Sequence, residues 1–269
     1  MLKKSVSKIL FLFFTFVSKK SGPNAFYINK IIDDANFTIG KGAGGPKSLD
    51  FEIKSVSKIL KSESSPLIID AGTHEGSYTD IILDIFPNSI VHCFEPSSKN
   101  FEYLSKKYSG KNNIVLNNIG LDISEGYKNL YSDYSGSSLA SLNKRKMEHF
   151  NRDFKYSEKI KTTTFDNYWE NILDKKAVDL LKLDVEGAEL SVLEGCYNSI
   201  KYIKNIQFEF GGANIDSRTF FQDFWYFFQS KEFELFRITP FGLIEINNYS
   251  EQDEFFKTTN YIARNINLS

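Results

Sequence analysis

The strongest constraint on the fold is an alternation, from residue 67 onward, of short apolar runs with segments of helical periodicity. The first run, residues 67–69, is entirely apolar and is bounded by Pro66 and Gly72. Such runs are typical of strands buried on both faces of a parallel sheet. Seven runs are predicted as strands, at residues 67–69, 90–94, 114–118, 178–183, 205–210, 234–238 and 260–264. The alternation predicts an α/β fold, with a doubly wound, mostly parallel, seven-stranded sheet and helices on both faces.

The first twenty residues differ in charge from the rest of the chain. They carry five lysines and no acidic residue, whereas 28 basic and 34 acidic residues follow them. The rest of the chain is therefore acidic, and we expect no nucleic-acid partner. The two cysteines, Cys93 and Cys196, cannot form a disulfide framework. This cysteine content favours a reducing, cytoplasmic compartment.

A largely apolar run of nine residues, 9–17, lies between these lysines. A membrane-spanning helix needs about 20 apolar residues, so this run is too short to cross a bilayer as a helix. No small-residue cleavage site follows it, which disfavours a secretion signal. Two interpretations stay open. The run is a helix packed on the protein or on a sister subunit, or residues 1–20 make peripheral contact with an anionic membrane at its inner face.

The chain is predicted to have two regions. Residues 1–50 hold the basic N-terminal helix and a turn-rich connector, whose densest glycine cluster is at residues 40–46. Clustered glycines indicate a loop. Residues 51–269 hold the predicted sheet and form the second region.

The first predicted strand ends in a glycine-rich turn. The pattern is Asp70-x-Gly72-x-x-x-Gly76, and the G-x-G-x-x-G fingerprint of dinucleotide-binding folds is absent. Gly72 permits a tight turn against a ligand, and Gly76 lets the next helix approach the strand closely. Ligands of open α/β sheets bind at such strand ends. Asp70 disfavours a diphosphate and suits a cationic amine, such as the methionine end of S-adenosylmethionine.

Carboxylates also follow the next two predicted strands. Glu95 lies about 20 residues after Gly76, where a carboxylate can accept both hydroxyls of a ribose. Ser97 or Ser98 can cap the following helix, which leaves Glu95 to the ligand. Asp122 follows the third strand and is a candidate for the adenine edge, although an aspartate that merely stabilises a turn is the simpler explanation.

Three charged residues lie at the end of the fourth predicted strand. Strand alternation places Lys182, Asp184 and Glu186 on one side. Charges at the end of a buried strand are costly unless they are used or paired. Glu209 adds a carboxylate after the fifth strand, at the same edge of the sheet. We therefore expect the chemistry of the protein at this edge.

These segments together resemble the FkbM-type methyltransferases, which are class I, Rossmann-like enzymes that use S-adenosylmethionine for O-methylation. The matching pieces are residues 70–76, 94–96, 163–168 and 181–190. The most specific piece is Lys182-Leu183-Asp184-Val185-Glu186-Gly187. Two departures are Ala188, where an aromatic residue or His is common, and His74, where a small polar residue is usual.

The resemblance implies a methyltransferase domain over residues 51–269 that transfers a methyl group to a hydroxyl. The acceptor it implies is a sugar of a surface polysaccharide or glycolipid, or a natural product. It places Asp184 and Glu186 near the methyl group and the acceptor. It places these residues around the cofactor: Asp70, Gly72, Thr73, Gly76, Glu95, Asp122 and Asp184.

Methyl transfer to a hydroxyl requires positioning of the acceptor oxygen and removal of its proton. Asp184 is the leading candidate for the base, followed by Glu186 and His74. A divalent ion bound by Asp184, Glu209 and Asn214 would be another way to activate the hydroxyl, and we do not expect it.

The polar segment at residues 131–161 is predicted to cover the acceptor site. Its basic run, residues 143–146, either meets a phosphate-bearing acceptor or is a solvated helix face. Two other functions stay open: an NAD-type oxidoreductase of the same fold class, and a non-catalytic, membrane-tethered binding module.

Overall fold

The structure is a computed structural model that describes residues 2–21, 26–45 and 48–268. The helices are α1 Leu2–Ser21, α2 Phe26–Thr38, α3 Leu49–Ile59, α4 Ser77–Ile85, α5 Ser98–Lys107, α6 Phe165–Asn171, α7 Glu189–Glu194, α8 Gly212–Ser217 and α9 Phe221–Ser230. The strands are β1 Leu67–Ala71, β2 Ile90–Phe94, β3 Ile114–Asn117, β4 Gly120–Leu121, β5 Gly126–Ser132, β6 Tyr156–Thr163, β7 Leu180–Leu183, β8 Asn205–Phe210, β9 Phe233–Thr239, β10 Gly242–Glu245 and β11 Thr259–Asn265.

Within these residues the main sheet has eight strands, in the order β10-β9-β11-β8-β7-β1-β2-β3. The five strands from β8 to β3 are parallel, and β11, β9 and β10 continue the sheet in antiparallel pairing. The chain leaves β1 on one side to build β2 and β3, then returns to its other side with β7. The carboxyl ends of β1 and β7 therefore meet at a topological switch point, where α/β sheets bind ligands.

Apolar clusters bury the sheet on both faces. Ile68 and Ile69 are neighbours in β1, and strand alternation sends them to different clusters. One cluster packs α6, α7 and α9 against the sheet, and the other packs α3 and α4. The predicted doubly wound α/β fold is confirmed, with one strand more than expected. The extra strand, β10, is a short edge strand in a hairpin with β9, and its half-exposed residues carry no buried apolar run.

A second sheet, β4-β6-β5, was not predicted. It is built around an antiparallel pairing of β5 with β6, whose strands overlap the two ends of residues 131–161, the segment expected to be a polar insert. Most of its side chains are exposed or half-exposed, so the strands lack the apolar runs that marked the main sheet. Residues 133–155 connect β5 to β6, and we call them the insert loop.

The N-terminal region contains the predicted helix α1 and a second helix, α2, inside the segment expected to be only a connector. Residue 46, the end of the predicted glycine cluster, lies outside the described residues. No residue of α2 is buried. The described apolar side chains of α1, between Ile9 and Phe16, are exposed or half-exposed as well, with Ile9 at 66% and Phe11 at 69%. The interpretation that this helix packs on the protein's own core is therefore wrong. No helix in the described part of the chain has the length and hydropathy needed to cross a membrane.

Candidate functional site

The turn after β1 brings two backbone segments into contact. Gly72 has a φ of +83°, and its N–H donates to the carbonyl of Phe94 at 3.0 Å. A Cβ at Gly72 would lie 1.8 Å from the carbonyl oxygen of Asp184. Gly76, with a φ of +78°, begins α4, and a Cβ there would lie 2.2 Å from the hydroxyl of Tyr108. Both glycines are thus required by close approach, but the neighbours are Asp184 and Tyr108, whereas the sequence predicted a ligand beside Gly72 and the first strand beside Gly76.

Gly72→Ala should destabilise the protein by roughly 2–6 kcal/mol, because it combines left-handed strain with a backbone clash. Gly110→Ala is a matched control, since Gly110 also has a positive φ, +81°, but nothing lies within 4 Å of its Cβ position. That control should lose only about 1–2 kcal/mol, the left-handed term alone. Urea unfolding measures both losses. Equal losses would show that the contact with Asp184 is not tight.

A cleft with about 70 Å³ of free volume opens at these strand ends, and we call it the first cleft. The predicted site residues in its lining are Gly72, His74, Glu95, Asp184 and Glu186. The structure therefore brings residues from the ends of β1, β2 and β7 into one lining.

Glu95 is buried in the wall of the first cleft. Its Oε2 accepts the N–H of His74 at 2.8 Å, and its Oε1 accepts the N–H of Ser97 at 2.9 Å. The Ser97 hydroxyl makes no capping bond, so the expectation that a serine caps α5 and leaves Glu95 free is wrong. Burial raises the pKa of Glu95 to about 7, against the lowering effect of these backbone amides.

Asp70 lies beneath the glycine turn rather than in the lining of the first cleft. It has no exposed surface. Its Oδ1 is 3.2 Å from Nζ of Lys182, and its Oδ2 accepts the Thr79 hydroxyl at 2.7 Å. Thr73 is also buried, and its hydroxyl donates to the Asp70 carbonyl at 2.8 Å. The sequence predicted that the Asp70 carboxylate contacts an amine of the ligand. In the structure this carboxylate is already paired within the protein.

Lys182 and Asp184 share one side of β7, as predicted. Lys182 Nζ lies 3.4 Å from Asp184 Oδ2, and 41% of the Asp184 side chain stays exposed. Burial lowers the pKa of Lys182, but the carboxylates of Asp70 and Asp184 outweigh it, so the net shift is upward. Lys182 is therefore a fixed cation between a buried carboxylate and an accessible one.

Glu186 does not follow the strand alternation. Its φ is +51°, and this left-handed backbone turns its carboxylate to Arg145, whose Nη1 lies 2.5 Å from Oε2. The Ser141 hydroxyl donates to the Glu186 carbonyl at 2.6 Å. Burial, and then the charge of Asp184, raise the pKa of Glu186. Both partners come from the insert loop, which thus closes on the end of β7.

His74 and Asp122 have different positions relative to the first cleft. His74 lines it, and its Nε2 is 3.3 Å from the Gly136 carbonyl of the insert loop. Asp122 is buried and forms an ion pair with Lys128, while the neighbouring Leu121 lines the cleft. The sequence suggested that the Asp122 side chain faces the ligand. In the structure Leu121 occupies that part of the lining.

A second, larger cleft shares Glu186 with the first. It runs between the insert loop and the segment before β11, and its lining includes Lys146, His149, Phe150, Glu209, Asp216, Arg218, Phe256 and Lys257. Among the described residues the Glu209 carboxylate has no hydrogen bond or ion pair. Burial, followed by the charges of Asp184 and Glu186, raises its pKa well above the usual value. The sequence placed Glu209 at this edge of the sheet and gave it a specific role only as a metal ligand.

Arg145 is the residue of this site that the sequence interpretation missed. The basic run at 143–146 was expected to meet a phosphate or to form a solvated helix face. Arg145 is instead buried in a loop, with Nη1 on Glu186 and Nε 3.6 Å from Asp216 Oδ2. In the sequence Arg145 is one arginine in a polar segment, and nothing in that pattern distinguishes it from a surface residue.

Asn214, one of the three residues of the metal alternative, already has hydrogen-bond partners. Asn214 Oδ1 accepts the N–H of Gly211 at 2.8 Å, and its Nδ2 donates to Thr219 at 2.8 Å, so its amide is used at the start of α8. No group of three or more His, Cys, Asp or Glu side chains among the described residues is placed to hold a metal ion.

Glu189 should make unfolding depend on pH. It is buried and accepts the N–H groups of Val185 and Gly187 at 3.0 Å, and burial raises its pKa to about 7 from 4.5. Its contribution to stability is thus fully present below pH 4.5 and is lost as pH rises through about 7. Relative to the wild type, the free energy of unfolding of Glu189→Gln should increase between pH 5 and pH 8.

Urea unfolding across that range measures the difference. It separates Glu189 from His92, whose pKa burial lowers to about 4 and which therefore acts in the opposite direction. A constant difference would show that the Glu189 pKa is not raised.

Comparison with solved structures finds distant similarity to methyltransferases. An rRNA methylase from Streptococcus thermophilus matches with 12% identity and a TM-score of 0.42, over 81% of this chain and 93% of the other. An S-adenosylmethionine-dependent O-methyltransferase from Thermotoga maritima matches with 13% identity and a TM-score of 0.43, over 83% and 66%. TrmK from M. capricolum, solved with S-adenosylhomocysteine, matches with 12% identity and a TM-score of 0.40, over 79% and 67%. These likenesses are too distant to bear on the substrate.

A comparison with curated protein sequences finds no match. The model of the methyltransferase FkbM domain matches residues 70–235, which is more than half of the chain. The match contains the Gly72 turn, Glu95 and the segment from Lys182 to Glu189. It sets aside the NAD-type oxidoreductase. The helices α1 to α3 precede the matched residues. The chain belongs to the FkbM methyltransferase domain family.

Proposed function

We propose that the protein is an S-adenosylmethionine-dependent O-methyltransferase that methylates a hydroxyl of a sugar, in a surface polysaccharide or a glycolipid. The observation that carries this proposal is the junction of two clefts at Glu186, with Asp184 in the first lining and Glu209 in the second. One cleft suits the cofactor and the other an acceptor. The three carboxylates lie at the junction of the two clefts.

The lining of the first cleft holds groups that can bind S-adenosylmethionine. The backbone of Gly72 forms part of this lining, Glu95 offers a carboxylate to ribose hydroxyls, and Leu121 offers an apolar surface to adenine. When bound, the cofactor supplies a methyl group on a sulfonium, which is a good leaving group. The work left to the protein is to orient the acceptor oxygen and to take its proton.

We assign to Asp184 the removal of the proton from the acceptor hydroxyl. It is the accessible carboxylate at the end of β7, and Lys182 holds it from one side. Glu186 is fixed by Arg145, so its role is to orient the acceptor between the clefts. A neutral amine carries a free lone pair and needs no base before it attacks, whereas a hydroxyl gains from one. The carboxylates therefore favour a hydroxyl acceptor.

The second cleft favours a sugar over an apolar natural product. Phe150 and Phe256 offer ring faces, and His149, Asp216 and Arg218 offer polar groups along the same lining. Sugars present both apolar C–H faces and hydroxyls, so they can use both kinds of group. A purely apolar acceptor would desolvate these polar groups and offer them no hydrogen-bond partners of its own.

Incubation with methyl-labelled S-adenosylmethionine and a panel of acceptors tests the function. The panel contains free sugars, glycolipids, lipid-linked oligosaccharides, amines and RNA. We expect label on a sugar hydroxyl, and transfer that is about 10²–10⁴-fold slower with Asp184→Asn. Transfer to an amine or to RNA would overturn the O-directed proposal. Cofactor binding with no transfer to any acceptor would favour the non-catalytic binding module.

A further inference from the structure

The helices α1 and α2 present an apolar surface that the rest of the described chain does not cover. The large apolar side chains with more than a third of their surface exposed are Ile9, Leu10, Phe11, Leu12, Phe13, Phe16, Phe26, Tyr27, Ile32 and Phe37. Isolated exposed apolar residues are normal, but a run of this density marks an interaction surface.

The charge of α1 indicates what this surface meets. Lysines stand at positions 3, 4, 8, 19 and 20, and the helix contains no acidic residue. Lys8 and Lys19 are eleven residues apart, which is about three turns, so they lie on one side of the helix. Ile9, Leu10, Phe13 and Phe14 recur on the opposite side. A basic line beside an apolar stripe matches an anionic lipid surface, with lysines on headgroups and rings among the acyl chains.

A second copy of the chain fits this surface less well. Pairing α1 with another α1 would bring ten lysines together without an acidic partner on either helix. Like charges that are brought close together repel one another. The nine-residue apolar run is about 14 Å long as a helix, less than half of the roughly 30 Å of a bilayer core. Its length therefore suits a helix lying in the interface.

The helix α2 is fixed beside the second cleft. Asp33 of α2 forms an ion pair with Lys257, and the carbonyl of Ile39, just after α2, accepts from Nε of Arg237 at 2.8 Å. The N–H of Gly44 donates to the carbonyl of Thr258 at 2.8 Å. Lys257 and Thr258 both line the second cleft. A surface that binds α1 and α2 would therefore lie next to the acceptor side of the site.

We propose that α1, together with the exposed apolar side of α2, docks on an anionic membrane surface and holds the second cleft beside that surface. The consequence for the substrate rests on the proposed function: the sugar acceptor is one attached to a lipid. Docking itself needs neither cofactor nor acceptor.

Co-sedimentation of the full chain with vesicles tests the docking. The vesicles are pure phosphatidylcholine, or phosphatidylcholine with phosphatidylglycerol, each at low and high salt. We expect binding to the anionic vesicles that falls as salt rises. Lys8→Gln/Lys19→Gln/Lys20→Gln should lower the partition constant at least tenfold, since each lysine near an anionic surface contributes roughly fivefold. The matched control Lys106→Gln/Lys155→Gln/Lys175→Gln, at exposed lysines elsewhere, should not change it.

A second set of variants tests the apolar side. Phe11→Ser/Phe13→Ser/Phe16→Ser should also lose most of the binding, whereas Ile172→Ser/Tyr197→Ser/Phe241→Ser removes equally exposed apolar groups elsewhere and should not. All these positions are exposed, so folding should survive. Calorimetric affinity for S-adenosylmethionine should stay at the wild-type value in every helix variant, and Glu95→Ala should still bind vesicles. These two controls separate failure of docking from failure of the proposed function.

Three results would overturn the proposal. One is absence of sedimentation with anionic vesicles at low salt. Another is equal, salt-independent binding to neutral and anionic vesicles, which would remove the role of the lysines. The third is a concentration-dependent dimer in light scattering that the phenylalanine variant abolishes, without vesicle binding, which would assign the surface to a second copy.

Discussion

Replacing Glu95 by alanine should weaken the binding of S-adenosylmethionine by about 100-fold or more. The carboxylate is expected to accept both ribose hydroxyls, and each charge-assisted bond is worth roughly 1.5–3 kcal/mol. Glu95 lies in the lining of the first cleft, at the end of β2. Isothermal titration calorimetry of the wild type and Glu95→Ala measures the difference.

The control for this variant must account for the second task of Glu95, which is to accept the N–H of Ser97 at the start of α5. Glu158 is a matched residue, because its Oε1 accepts the N–H of the next residue, Ser98, at 2.9 Å and it is not part of the cleft lining. Glu158→Ala should lose stability but keep cofactor affinity. An unchanged affinity in Glu95→Ala would remove Glu95 from the cofactor site.

The wild-type affinity should also depend on pH. Because burial raises the pKa of Glu95 to about 7, the ionised form that accepts the hydroxyls is lost as pH falls through 7. Affinity should therefore be highest above pH 7 and decline below it, and this decline should be absent from Glu95→Ala.

Asp184→Asn should lower turnover by about 10²–10⁴-fold while cofactor affinity stays near the wild-type value. The range is that of general acid–base catalysis by one positioned side chain. Asparagine keeps the size of the side chain and removes the group that takes the proton. Lys182 keeps its ion pair with Asp70, so the local structure should persist. Labelled methyl transfer and calorimetry on the same preparation separate turnover from binding.

Asp179→Asn is the matched control. Asp179 precedes the opposite end of the same strand, where Oδ2 accepts the N–H of Leu67 at 2.8 Å and Oδ1 forms an ion pair with Lys204. It should change stability and not turnover. Glu209→Gln completes the set: loss of turnover there, with Asp184→Asn active, would move the base to Glu209. Full activity in Asp184→Asn would end its assignment as the base.

Local sequence patterns predicted the parts of the site that depend on the chain next to them. The β-branched run before Gly72, the spacing from Gly76 to Glu95 and the charged end of β7 are all readable within about 20 residues. Strand ends of a parallel sheet share one edge, so these separate segments could be placed together before any contact was known. The α/β fold followed from the same periodicity.

The second sheet and α2 could not be predicted in this way. The strands β5 and β6 are half-exposed, and their pairing joins Gly126 to Thr162 across a long polar stretch. The helix α2 has no buried residue, so no core imposes a clear stripe on it. Where burial is incomplete, the apolar period that identifies an element is weak.

Which charged side chains are paired and which are accessible to a ligand could be seen only in the tertiary structure. Asp70 and Asp184 are both carboxylates at strand ends, yet Asp70 is sealed under the turn against Lys182 while Asp184 remains accessible. Glu186 is held by an arginine 41 residues away in the sequence. Seven strands of the main sheet, the glycine turn and the edge at which the acids gather could be predicted from the sequence, because these follow from local period and steric limits. Which acid faces a ligand depends on side chains that meet only after distant segments pack, and that pairing decides the free energy of each buried charge.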